Sequence, residues 1–225
     1  MSLLPVAYYR GALTSKFGIP RQSSLSADLL GRIVFEPEFR DANAIRGLYG
    51  TVSDGFDHIW LIWGFSGNAG KGWSPTVRPP RLGGNARMGL WATRSPFRPN
   101  PLGLSCVKIE GIEGTDIIVS GADLMDMTPI YDIKPYVAYT DSIPDACSGF
   151  ASDRPRPSLE VYFNGIKPPF GPRELKALEQ ILSLDPRPAY QDDPVREYAF
   201  PYSGHTICFR VEGNKLIITG IKDES

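Results

Sequence analysis

Residues 58–65 read His-Ile-Trp-Leu-Ile-Trp-Gly-Phe, an almost wholly apolar run halted by Ser66-Gly67-Asn68. A run this short fits a strand better than a helix, and its lack of polar alternation predicts a strand buried on both faces, at the heart of a β core. The rest of the chain must reach that core in short pieces. Gly and Pro, 23 and 21 of 225 residues, stand between apolar runs and are not gathered into repeats, as a turn-rich β fold requires. Further strand-like segments lie at 6–9, 32–35, 88–93, 104–112, 117–122 and 131–139. Glu113-Gly114-Thr115-Asp116 reads as a hairpin turn between two of them, and 16–25 (KFGIPRQSSL) as a loop. Closely spaced short strands indicate a barrel or sandwich and argue against a parallel βαβ sheet.

The composition changes after Ala146. Residues 148–170 are polar and Pro-rich, as a linker is. A helix then opens with Pro172 at its first position and Glu174 in its first turn. It carries the apolar stripe Leu175, Leu178, Ile181 and Leu182, and stops at Asp185-Pro186. Two strands, 205–211 and 216–221, close the chain through Glu212-Gly213-Asn214. The expectation is a mainly β protein: a β-barrel over residues 1–150 and a small C-terminal α+β domain over 151–225. Nothing in the sequence approaches the roughly 20 apolar residues of a membrane-spanning helix, and the N-terminus lacks the order of a signal peptide, so a cytoplasmic protein with no membrane partner is expected. Cys106, Cys147 and Cys208 have no CxxC spacing, and His58 and His205 are the two histidines. No disulfide framework and no metal site are expected.

Formal net charge is only −1, yet the charges segregate. Between Asp57 and Glu110 there is no acidic residue, while Lys71, Arg78, Arg81, Arg87, Arg94, Arg98 and Lys108 all fall there, with Trp73, Trp91 and Phe97 interleaved. Such an interval grips phosphates and stacks bases, or is a solvated loop with no partner, or pairs with acidic loops elsewhere.

Phosphate-loop, nucleophile-elbow, HExxH and GxGxxG signatures are all missing. Two dense segments remain. In 78–105, Gly83-Gly84-Asn85 can set backbone N–H groups around an anion, and Arg94 and Arg98 flank the stiff Pro96 and Pro99-Asn100-Pro101. The prolines and glycines could instead simply build barrel turns. In 120–146, Asp123, Asp126 and Asp132 recur near Lys134. They could hold hydroxyls, an amino group or a positive centre, or could simply form turns.

These two segments closely resemble the TrmO family, the TsaA-like tRNA adenosine N6-methyltransferases. The resemblance runs from Tyr8 to about Ala146. It is carried by Pro20-Arg21-Gln22, by 45–48, by PTVRPPRLGGNARMG at 75–89, by ATRSPFRPNPLGLS at 92–105, by DLMDMTPIYDIKPY at 123–136 and by SIPDA at 142–146; DPRPAY at 185–190 extends it into the tail. It implies a barrel that binds S-adenosylmethionine (SAM), works as a homodimer and methylates N6 of N6-threonylcarbamoyladenosine in the tRNA anticodon loop. By matching positions, it implies SAM contacts from Pro20, Arg21, Gln22, Ser66, Gly67, Arg94, Leu104, Asp123, Leu124, Met125 and Asp126. Ser66-Gly67 departs from the family's His-Gln-like pair, so backbone contacts alone are expected there. Asp126 is the expected catalytic group, beside the sulfonium or the departing proton. Arg81, Arg87, Arg98, Arg187 and Tyr190 are expected to meet tRNA. Competing readings are a SAM sensor, a methyltransferase of another RNA or a small molecule, and a non-enzymatic single-stranded RNA binder.

Overall fold

The computed structural model describes residues 3–49, 55–68, 70–187 and 193–224. Six antiparallel strands close a barrel: β1 (Ala7–Gly11), β2 (Leu30–Phe35), β3 (His58–Gly64), then, after a small hairpin of β4 (Thr76–Val77) and β5 (Met88–Gly89), β6 (Leu102–Glu113), β7 (Asp116–Ser120) and β8 (Thr128–Pro135). Their order around the barrel is β1-β2-β7-β6-β3-β8. The predicted hairpin stands, with Glu113 opposite Asp116 and Gly114 at φ 64° supplying the left-handed turn conformation.

Alternate residues fill the interior: Ala7 and Tyr9 from β1, Ile33, Ile59, Leu61, Trp63, Val107, Ile109, Ile117, Val119 and Ile130. This corrects one expectation. β3 is buried on one face only, with Ile59, Leu61 and Trp63 inside and His58, Trp60 and Ile62 half-buried outside. Apolar residues on both faces hid the period of two. The expected strand at 88–93 also shrinks, to Met88–Gly89, because the chain turns into a single 3₁₀ turn at Leu90–Ala92 that buries Leu90. The strand expected to run to Tyr139 stops at Pro135, and Tyr136 and Val137 lead into a one-turn helix, α1 (Ala138–Asp141).

The C-terminal part contains β9 (Glu160–Tyr162), α2 (Pro172–Ser183), β10 (Tyr198–Tyr202), β11 (His205–Glu212) and β12 (Lys215–Asp223), in a sheet ordered β10-β11-β12-β9. β9 sits inside the expected linker and pairs in parallel with β12. The predicted helix buries Ala177, Leu178, Ile181 and Leu182 against this sheet, and Glu174 accepts the Gly171 N–H at 3.2 Å, which completes its N-terminus.

Residues 12–29, the β1–β2 connection, cross into this second core. Leu13 and Leu29 are buried there with Phe17 and Ile19 packed beside them. The Phe17 ring stacks on Phe209 at 6.3 Å and meets Phe200 edge-on at 5.9 Å. Gly18 (φ 95°) lies so close that a Cβ there would come 2.5 Å from the Phe200 ring. Among the described residues no helix is long and apolar enough to cross a membrane.

Candidate active site

An antiparallel barrel sends alternate connections to opposite ends. β1, β3 and β7 all finish at one end, so the connections 12–29, 65–101 and 121–127 emerge together there. Those connections carry nearly every candidate residue. The third is pinned at each step by backbone bonds: Ser24 N–H to Gly121 O (2.7 Å), Gly121 N–H to Leu29 O (3.0 Å), Asp126 N–H to Leu13 O (2.7 Å) and Met127 N–H to Tyr9 O (2.8 Å). Met127 takes φ 62°, which reverses the chain into β8.

This pinning aims two carboxylates. Asp123 Oδ1 accepts the Ser105 hydroxyl at 2.5 Å, and Ser105 Oγ in turn accepts the Trp63 indole N–H at 3.0 Å. Burial pushes the Asp123 carboxyl above its ordinary range, opposed by the hydrogen bond from Ser105, by the Ser23 amide and by the charge of Arg94. Asp126 Oδ1 accepts from Arg10 Nε and from the Gly11 amide, both at 3.0 Å, while Oδ2 has no partner among the described residues. Arg94 reaches across from the second connection and donates to Gln22 Oε1 at 2.6 Å. Gln22 therefore ties the first connection to the second, and Arg94 adds the field at Asp123. Leu124 is buried in the barrel core, and Met125 O accepts the Thr128 hydroxyl at 2.7 Å.

Ser66-Gly67-Asn68 forms a 3₁₀ turn. Its backbone is reached by Lys16, whose ammonium donates to Gly67 O and, at 2.5 Å, to Asn68 Oδ1. A Cβ at Gly67 would collide with the Lys16 stem, so the small residue makes room for the lysine. Burial, then the neighbouring Lys71 charge, holds the Lys16 ammonium below its ordinary range.

Several candidates lie apart from this cluster. Leu104 pairs with Ile62 on the barrel's outer face and is 54% exposed, one residue from the inward-facing Ser105. Pro20 is buried and Arg21 exposed beside it, its guanidinium 3.4 Å from Arg187 O. Asp132 pairs with Lys134 at 2.9 Å outside the barrel. Arg81 and Arg87 are exposed and make no ion pair among the described residues. Arg98 turns inward on its own loop, with Nε donating to Ser95 O (3.1 Å) and Nη2 to Thr93 O and Leu90 O (3.4 Å). Arg187 is 9% exposed and held by Asp185 through Nε and Nη2, both at 2.9 Å. Tyr190 lies outside the described residues.

Sequence reasoning missed Arg10, Lys16, Trp63 and Tyr9, and passed over Ser105 as the end of a motif. Ser105 carried a usable signal, a hydroxyl two residues ahead of Val107 at the parity of the apolar positions. The Tyr9 ring fills the space above Gly11 and Gly31, where a Cβ would overlap it. Its hydroxyl is raised well above the ordinary tyrosine range by burial and then by the charges of Asp123 and Asp126.

A family model of the tRNA-methyltransferase O N-terminal domain matches residues 8–142, and one of the TrmO C-terminal domain matches 171–224. The chain is 48% identical over 170 residues to a tRNA (adenine(37)-N6)-methyltransferase of Eikenella corrodens, covering 74% of this chain and 97% of that one. It is 37% identical over 201 residues to the enzyme of the same name from Escherichia coli strain K12, covering 83% and 82%. A crystal structure of TrmO from Pseudomonas aeruginosa superposes with a TM-score of 0.77 at 28% identity, covering 98% of this chain and 97% of that one.

Proposed function

The chain belongs to the tRNA-methyltransferase O family, and from that premise we propose that it transfers a methyl group from SAM to N6 of adenine 37 in tRNA, accepting the base as N6-threonylcarbamoyladenosine in the anticodon loop. It is a SAM-dependent tRNA methyltransferase. The observation that carries this reading is the meeting, at one end of the barrel, of Asp123, Asp126, Arg94 and Gln22 with a long acid-free basic loop.

The residues present suit the donor. Asp123 and the free oxygen of Asp126 can accept an amino or ribose donor and favour a positive centre. Arg94 is matched to a carboxylate, Gln22 to an adenine or ribose edge, and the Ser66-Gly67 and Leu124-Met125 backbones offer further polar groups. When bound, SAM supplies an electrophilic methyl on a sulfonium. The chain's own work is then alignment: Ser105 and Arg10 hold the two carboxylates still, and Arg94 with Gln22 joins two connections around the reacting end. As N6 gains the methyl it loses its proton, and Asp126 Oδ2 is the acceptor. Arg81 and Arg87 meet phosphates. Arg187, held by Asp185, acts through the Arg187 carbonyl near Arg21, and Tyr190 completes the tail's contact with tRNA.

A homodimer, working in the cytoplasm where its tRNA is found, completes the proposal. It is supported by exposed apolar residues on and beside the outer face of β3, β6 and β8: Leu104 of β6 at 54%, Tyr139 of α1 at 92% and Ile143 just after α1 at 71%, with α1 held to β3 by Trp60 Nε1 donating to Asp141 Oδ2 at 2.9 Å. The test is mass spectrometry of nucleosides from threonylcarbamoylated tRNA incubated with the protein and SAM. One added methyl on that nucleoside is expected; SAM binding without methylation of any tRNA overturns the proposal in favour of a sensor.

A further inference from the structure

The loop between β3 and β6 exposes three large aromatic rings: Trp73 at 57%, Trp91 at 73% and Phe97 at 39%. An indole offered so fully to water needs a reason, since a Trp normally buries most of its large apolar surface. Trp91 is not on a slack segment. Leu90 beside it is 1% exposed and anchors the turn, with its N–H on Pro75 O at 3.0 Å. Thr93 closes the turn through Oγ1 on Leu90 O at 2.8 Å, and Ser95 and Phe97 continue the bracing through hydroxyl acceptors at 3.3 Å. The Arg98 guanidinium lies over the Trp91 ring, 5.4 Å from its centroid. Its Nε and Nη2 are committed to the carbonyls of Leu90, Thr93 and Ser95, leaving Nη1 alone for anything outside.

One face of the indole is therefore taken by a fixed cation, and the exposure of the residue belongs to the other face. We propose that Trp91 is a stacking platform for one unpaired base of the RNA loop, with Arg98 as the brace that holds the ring. A fixed aromatic plane backed by a guanidinium offers the flat, sequence-tolerant contact that splayed bases use. The occupant is RNA because no acidic residue lies between Asp57 and Glu110, while Arg78, Arg81 and Arg87 stand exposed on the same loop. The platform is tied to the reacting end, since Arg94, three residues on, donates to Gln22 and acts on Asp123. The inference rests on the tRNA reading above and deepens it.

The experiment compares wild type, W91F and W91A in binding a hairpin RNA with the anticodon-loop sequence, carrying 2-aminopurine at each loop position in turn, and in methylating tRNA. W91A weakens hairpin affinity about ten- to a hundredfold and raises KM for tRNA far more than it lowers kcat. W91F stays within about threefold of wild type because the ring is kept. At one loop position wild type and W91F quench the fluorescent base and W91A does not. The salt slope of binding is the same for all three, because no phosphate contact is lost. Unchanged affinity in W91A, or a loss accompanied by a shallower salt slope, overturns the proposal by making the ring a mere prop for the basic loop. A W91A protein with wild-type RNA affinity but a broken dimer in sedimentation overturns it in favour of a protein contact. Should wild type itself neither bind nor methylate tRNA, the functional reading fails first, which separates the two failures.

Discussion

Replacing Glu110 with Gln should loosen the seam between the barrel and α2, and only above acid pH. Glu110 lies on β6 with its side chain 19% exposed, and Arg173 of α2 reaches it through Nη2 on Oε1 at 2.8 Å and Nη1 on Oε2 at 3.4 Å. The Ser120 hydroxyl adds a bond to Oε1 at 2.6 Å, and Lys108 stands 3.5 Å away. Arg173 first, then Ser120, holds the carboxyl at about 2, against an ordinary 4.5. That difference sets a ceiling of about 3 kcal/mol. Because the Arg173 side chain is 41% exposed, solvent screening brings the contribution down to about 1–2 kcal/mol. The sign is fixed by the depressed pKa: the stabilisation is complete above pH 4.5 and is lost as pH falls towards about 2. In urea unfolding at pH 7, E110Q should be less stable by about 1–2 kcal/mol, equivalent to about 3–6 °C in melting temperature. At about pH 2.5 the gap should nearly close. A gap of the same size at both pH values, or none at pH 7, would refute the reasoning.

Three other outcomes follow from the same geometry. Ser105→Ala removes the hydroxyl between Trp63 and Asp123; stability should fall by about 2 kcal/mol and SAM affinity with it, and calorimetry showing unchanged SAM affinity would dismiss Ser105 as a positioning residue. Gly31→Ala places a methyl group into the fully buried Tyr9 ring; thermal melting should report a loss of about 1–3 kcal/mol, and a neutral result would mean the ring moves freely. Arg81→Ala and Arg87→Ala should each flatten the salt dependence of tRNA binding by about one unit of log–log slope, and an unaltered slope would take that arginine out of phosphate contact.

Much of the architecture was legible because short apolar runs between turn formers leave few alternatives. The hairpin at 113–116, the helix from Pro172 and the final pair of strands sit where their punctuation put them. β9 was not legible: it is three residues long and owes its existence to parallel pairing with β12, more than fifty residues downstream. At the site, the segments could be read but not the destinations of their side chains. Charge marks Arg94, Arg98 and Arg187 alike, yet Arg94 bridges two connections, Arg98 braces its own loop and Arg187 is held by Asp185. Leu104 and Ser105 are neighbours in sequence, and strand parity alone sends one outward and the other to Asp123. No local pattern reveals that Lys16 lies across Gly67, since the two are joined only by the closing of the barrel.

The connection at 12–29 is owned twice. One flank carries Gln22, tied to Arg94, while Leu13, Phe17, Ile19 and Leu29 are plugged into the core built by α2 and β10–β12. A protein cut after residue 150 would keep the whole barrel yet uncork these side chains, and the strip that presents Gln22 to Arg94 would lose the wall it leans on. The tail is thus a mould for part of the candidate site. Chimeras that exchange it between relatives should keep their activity only when residues 12–29 travel with it.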